Sequence, residues 1–164
     1  MTRRSRSEGC EGSITAPRRA VATLAVAAGA LLSASGCATP EGDPSLYREE
    51  AISTLQVAQS STETVLITLD ARLRDRTFGR AADDAVSDAE SSLSSTAGTF
   101  DALQPPRGAD AVRDKATKAL STAEDAVAAA RIAIRRDNRA AMREARDPLR
   151  KAVEDLEHAP DTLP

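Results

Sequence analysis

From residue 44 onward, apolar residues recur three and four positions apart in four successive stretches. The first, 44–76, places Ile52, Leu55, Gln59, Thr62, Leu66, Leu69 and Leu73 on one stripe. The second, 79–103, carries Val86, Ala89, Leu93, Thr96, Phe100 and Leu103. The third, 109–136, carries Ala116, Leu120, Ala123, Val127, Ala130 and Ile134. The fourth, 139–158, carries Met142, Ala145, Leu149, Ala152 and Leu156, with Ala159 next in the series. A 3-and-4 alternation keeps side chains on one face of an α-helix, so the pattern predicts four amphipathic helices. In the last three stretches a large residue recurs every seven positions, and a small one follows three later. That alternation lets neighbouring helices approach closely and interdigitate.

Turn chemistry marks the boundaries. Asp43 before Pro44 reads as an N-cap followed by a proline in the first turn, where a missing N–H costs nothing. Glu49 and Glu50 sit early, where the helix dipole favours negative charge. Gln104, Pro105, Pro106, Arg107 and Gly108 form the firmest break, because two prolines cannot continue a helix. Thr77, Phe78 and Gly79 form a softer break, and Asp137 and Asn138 read as a turn and cap. Pro148 falls inside the fourth stretch, where a kink or a restart after Asp147 is expected. Acid–base pairs four apart, Asp114/Lys118 and Asp147/Lys151, are expected on exposed faces. Short connections imply sequential antiparallel neighbours, hence an all-α, up-down bundle over residues 44–160, with 161–164 outside it as a disordered end.

The N-terminal region has a different pattern. Five arginines (Arg3, Arg4, Arg6, Arg18, Arg19) precede a charge-free, Ala-dominated stretch over residues 20–36. A basic leader, an apolar centre and small residues at the exit are the layout of a secretory signal peptide. The stretch is too short and too weakly hydrophobic for a membrane-spanning helix. Its end, Leu32-Ser33-Ala34-Ser35-Gly36-Cys37, resembles the lipobox of bacterial lipoproteins, with Ala34 standing where the family usually carries leucine. The resemblance implies that Cys37 receives a diacylglyceryl group, that residues 1–36 are removed, and that the new terminus is open to further acylation such as palmitate. Residues 37–43 would then be a short lipidated tether. The protein would lie at the extracytoplasmic face of the bacterial cell membrane. Lipidation would also remove an unpaired exported thiol, since Cys10 falls in the discarded segment. Arg18 and Arg19 leave both general and twin-arginine export open.

Composition narrows the function. Of 164 residues, 33 are alanine, and the aromatics are Tyr47, Phe78 and Phe100. Such a chain has almost nothing on which to stack bases or sugars. Beyond residue 36 it carries 17 basic and 23 acidic residues, a net charge of −6. An acidic surface argues against nucleic acid as a partner. The same segment has 25 large apolar residues, a thin core that leans on the helix propensity of Ala, Arg and Glu.

Candidate chemistry is sparse. His158 is the one histidine and lies in the last turn, poorly placed to serve as a catalytic base. Asp83, Asp84 and Asp88 lack the dense oxygen ligation of a calcium loop and read as a solvated face. No phosphate-binding glycine loop occurs. The chain is therefore read as a non-enzyme with no catalytic residue, metal or cofactor. Charge placement is more telling. Arg131, Arg135, Arg136, Arg139, Arg143, Arg146, Arg150 and Lys151 lie within 21 residues around the turn between the third and fourth helices, opposed by Asp137, Glu144 and Asp147, and Arg72, Arg74, Arg76 and Arg80 surround the turn between the first and second. An up-down bundle brings both turns to the end away from the tether. Arg135, Arg136, Arg139, Arg143, Arg72 and Arg76 are the expected contacts for an acidic cell-wall polymer or protein, since arginine suits bidentate oxyanion binding. Basic residues at helix C-termini also answer the helix dipole, so a purely structural role stands beside this one. The resulting expectation is a lipid-anchored helical module that binds or scaffolds. A small metal-binding or enzymatic lipoprotein, or a self-associating coiled coil, are the alternatives.

Overall fold

The computed structural model describes residues 42–164. Cys37 and the signal-like segment lie outside them. Four helices run in sequence: α1 (Pro44–Leu73), α2 (Gly79–Asp101), α3 (Asp110–Arg135) and α4 (Arg139–Thr162). They pack as an all-α, up-down bundle. α1 touches all three others, and α3 does the same, whereas α2 and α4 do not meet among the described residues. The cross-section is thus a rhombus with a short α1–α3 diagonal. Fully buried alanines explain the closeness: Ala51 and Ala58 on α1, and Ala116, Ala123 and Ala130 on α3. A side chain of one carbon lets two backbones approach where leucines would hold them apart.

The caps follow the local sequence. Asp43 Oδ1 accepts hydrogen bonds from the Ser45 backbone N–H and hydroxyl, both at 2.8 Å, ahead of Pro44 in the first turn. These bonds hold the Asp43 carboxyl below its ordinary value, the side-chain bond acting most strongly. Asn138 Oδ1 accepts from the N–H groups of Ala140 and Ala141, both at 3.1 Å, opening α4. Gly108, at φ 86°, completes the long α2–α3 connection, in which Pro106 is buried.

The largest fully buried side chains of the core are Leu55, Leu69, Leu93, Phe100, Leu120, Met142, Leu149 and Leu156, each at most 2 % exposed. At the end where α1 starts, the Tyr47 ring packs against Phe100 with centroids 5.5 Å apart and planes tilted by 38°. The Tyr47 hydroxyl is buried and meets no hydrogen-bond partner among the described residues. Burial raises its pKa, partly opposed by the charge of Arg113.

Four expectations need correction. On α1, Leu55, Thr62 and Leu69 are buried, but Ile52, Gln59, Leu66 and Leu73 are only half-buried. The innermost stripe instead runs through Ala51, Leu55, Ala58, Thr62, Val65 and Leu69. α1 packs against three helices, so its buried arc is wide and the large residues alone misplace its centre. α4 is one continuous helix through Pro148. Both Pro148 and Glu144, whose carbonyl the missing N–H would have met, face solvent, so the freed carbonyl stays hydrated. α4 also runs on to Thr162, and Leu163 is buried at 6 % exposure, so the last residues belong to the bundle. Finally, the expected pairs Asp114/Lys118 and Asp147/Lys151 do not close. Lys151 turns the other way, to Asp155, 2.7 Å away.

Candidate functional site

The α1–α2 and α3–α4 turns share one end of the bundle, and both use the same backbone device. Asp75, at φ 55°, and Asp137, at φ 48°, are left-handed residues just past the C-termini of α1 and α3. Around Asp75, the N–H of Arg76 donates to Ala71 O and the N–H of Asp75 to Arg72 O. Around Asp137, the N–H of Asn138 donates to Ala133 O and the N–H of Asp137 to Ile134 O. Each is a Schellman motif, which satisfies carbonyls that a helix end leaves open. Glycine is the usual residue at that position. Aspartate tolerates it less well, and here each carboxylate has a further task.

The two turns are cross-tied. Arg72 on α1 donates to Asp137 at 2.6 Å and lies 3.5 Å from Asp75. Arg139, the first residue of α4, donates to Asp75 at 2.8 Å and also to the Leu73 carbonyl. Nearby, Arg135 lies 3.4 Å from Asp83 on α2 and Arg131 pairs with Glu90, which ties α3 to α2.

A polar cleft of about 380 Å³ opens beside this knot, between the end of α1 and α4. Its walls are Asp70, Leu73, Arg74, Arg143, Arg146 and Asp147. Asp70 Oδ2 receives Arg74 at 3.4 Å and Arg146 at 3.3 Å, and its Oδ1 lies 2.8 Å from Arg146 Nε. Two guanidiniums therefore converge on one carboxylate. Asp147 is 83 % exposed and lies 3.6 Å from Arg150.

The six arginines expected to form one surface do not share one environment. Arg72 and Arg139 are engaged in the cross-tie, and Arg135 is paired with Asp83. Arg136 and Arg76 are exposed and form no ion pair among the described residues. Of the six, Arg143 alone lines the cleft, beside Arg74 and Arg146, which belong to the basic stretches but not to the six expected contacts. Their spacing gives one usable signal: Arg143 and Arg146, three apart on α4, necessarily share a helix face.

The remaining candidates have plain surroundings. His158 is exposed in a groove between α3 and α4 beside Lys115, Lys118 and Asp155. Asp83 serves Arg135, and Asp84 and Asp88 are exposed. Among the described residues, no three His, Cys, Asp or Glu side chains cluster as a metal site would require. No helix among them is long and apolar enough to cross a membrane. Comparison with family models, with curated proteins and with solved structures finds no match for this chain.

Proposed function

We propose that this chain is a lipid-anchored extracytoplasmic module that acts by binding or scaffolding at the bacterial cell surface. The observation that carries the reading is the short interval between two features: the lipobox-like run ends at Cys37, and α1 is capped by Asp43 six residues later. Six residues reach about 20 Å at full extension, so an acylated Cys37 would hold the start of α1 close to the headgroups. Two acyl chains anchor a protein stably, because each buried methylene contributes about 0.8 kcal/mol. α1 has 30 residues, so the arginine-rich end lies about 45 Å along the bundle from the tethered end. Rigid helices, ionic ties across the far turns and an open arginine-lined cleft favour presentation of a surface to an acidic cell-wall polymer or protein.

Cell fractionation tests the reading. With Cys37→Ser, the protein should leave the membrane fraction, and retention there would defeat the anchor. Cross-linking in intact cells, followed by identification of what is captured, tests the binding role.

A further inference from the structure

We propose that the cleft between the end of α1 and α4 is a phosphate-group site, in which Arg74, Arg143 and Arg146 hold the anion and Asp70 positions two of them. The inference rests on the binding role proposed above and names its ligand.

Three guanidiniums and two carboxylates line the cleft. The balance is less even than that count suggests. Asp70 is shared by Arg74 and Arg146, so one negative charge answers two positive ones. Arg143 is exposed and has no ion-pair partner among the described residues. Asp147, also in the wall, is 83 % exposed and lies 3.6 Å from Arg150, so its charge is shared with a fourth guanidinium. A concave site is thus left with unanswered positive charge on a domain whose net charge is negative, and that charge calls for an anion.

The opposing influence is the C-terminus of α1, whose open carbonyls would repel an anion. Here they are already engaged. Asp70 O accepts from Arg74 N–H, Ala71 O from Arg76 N–H, Arg72 O from Asp75 N–H, and Leu73 O from the Arg139 guanidinium. The Schellman turn and the cross-tie therefore remove the feature that would spoil the site.

The donor set selects the ligand. A carboxylate offers two oxygens, which one guanidinium fork already spans, whereas a phosphate presents more acceptor oxygens around one centre. Three guanidiniums suit a group with more acceptor oxygens, and a phosphate fits that description. The volume, about 380 Å³, exceeds what a lone phosphate fills and leaves room for the group that carries it. The cleft is at the bundle end opposite the start of α1, about 45 Å along the bundle from the tethered end. A phosphate-bearing surface polymer is the source that this geometry favours.

The test titrates the full-length protein in detergent micelles with inorganic phosphate and pyrophosphate, at constant ionic strength, by calorimetry. Pyrophosphate should bind, and acetate should not displace it. Arg143→Gln should weaken binding about tenfold, the loss of one charge-assisted contact. Arg136→Gln, on the α3–α4 turn outside the cleft, should leave it within about twofold. Absence of pyrophosphate binding, displacement by acetate, or equal loss in both variants would overturn the assignment. The Cys37→Ser protein then distinguishes the sources. Capture by poly(glycerol phosphate) supports a polymer ligand. Capture by phosphatidylglycerol vesicles, with no effect of the polymer, overturns that source. Because these titrations do not require the anchor, failure of the cleft and failure of the anchor are read separately.

Discussion

Arg72 and Asp137 lie 65 residues apart in sequence and 2.6 Å apart in space. Asp137 closes α3, and Arg72 belongs to the last turn of α1. The reciprocal pair, Arg139 to Asp75, crosses in the other direction at 2.8 Å. Each turn thus supplies a left-handed aspartate to the other turn's arginine. Arg72 is 16 % exposed, but Asp75, Asp137 and Arg139 are 40–69 % exposed, so each pair contributes modestly, on the order of 0.2–1 kcal/mol. A double-mutant cycle on Arg139→Gln and Asp75→Asn, read by urea unfolding, should give a coupling near the top of that range. The substitution series at Asp75 separates backbone from charge. Asp75→Gly relieves the left-handed strain while losing the pairs and should stay within about 0.5 kcal/mol of the parent. Asp75→Ala loses the pairs and keeps the strain, and should cost about 2 kcal/mol. Equal effects of Gly and Ala would contradict the cap assignment.

Tyr47 carries a buried hydroxyl without a hydrogen-bond partner among the described residues. An unmet buried polar group costs roughly 1–3 kcal/mol. Tyr47→Phe keeps the ring against Phe100 and should stabilise the protein by about 1 kcal/mol. The pH dependence has a fixed sign. Burial raises the tyrosine pKa above its ordinary 10.0, so the folded state holds the phenol proton more tightly than the unfolded state. The parent therefore loses stability as pH rises above about 10, and Tyr47→Phe should not show that component. Thermal melts of both proteins from pH 8 to 11 measure the difference.

The short α1–α3 diagonal makes its alanines intolerant of size. Ala58→Leu and Ala123→Leu place three extra carbons at fully buried positions. Each should destabilise by about 1–3 kcal/mol or more by forcing the helices apart. Ser91→Ala, at an exposed position on α2, should change stability by less than about 0.5 kcal/mol. Urea unfolding of the three variants decides the point.

Asp43 is exposed, and its effect is local. Its carboxyl titrates below the ordinary 3.8 because Ser45 donates to the ionised form. That contribution is present above the ordinary carboxylate pKa and is lost as pH falls through the lowered folded value. Asp43→Ala should accelerate amide exchange at Ser45 near neutral pH, whereas Asp43→Asn, also a good cap, should preserve protection.

The helices were legible where large residues mark the inward face. Val86, Leu93 and Phe100 place α2, Leu120, Val127 and Ile134 place α3, and Met142, Leu149 and Leu156 place α4. Their boundaries were legible from Asp43, the two prolines at 105 and 106, and Asn138. On α1 the stripe sits off-centre because Ala51 and Ala58 are fully buried, while Ile52 and Leu66, both large, are only half-buried. Periodicity weighs size, and the diagonal contact rewards smallness. At the arginine-rich end, the sequence showed that charges gather there. It could not show which are neutralised, because Arg72 and Asp137 meet only through the fold, and Asp70 draws Arg146 from 76 residues away. Arg143 escapes pairing for a reason that no local motif encodes.

Acylation of one thiol underlies the proposed anchor, and its most direct measurement is intact-mass and peptide analysis of the native protein extracted from membranes. The predicted result is a mature chain that begins at Cys37 and carries a diacylglyceryl group on its sulfur. A chain with an unmodified Cys37, or one that still carries residues 1–36, would contradict it.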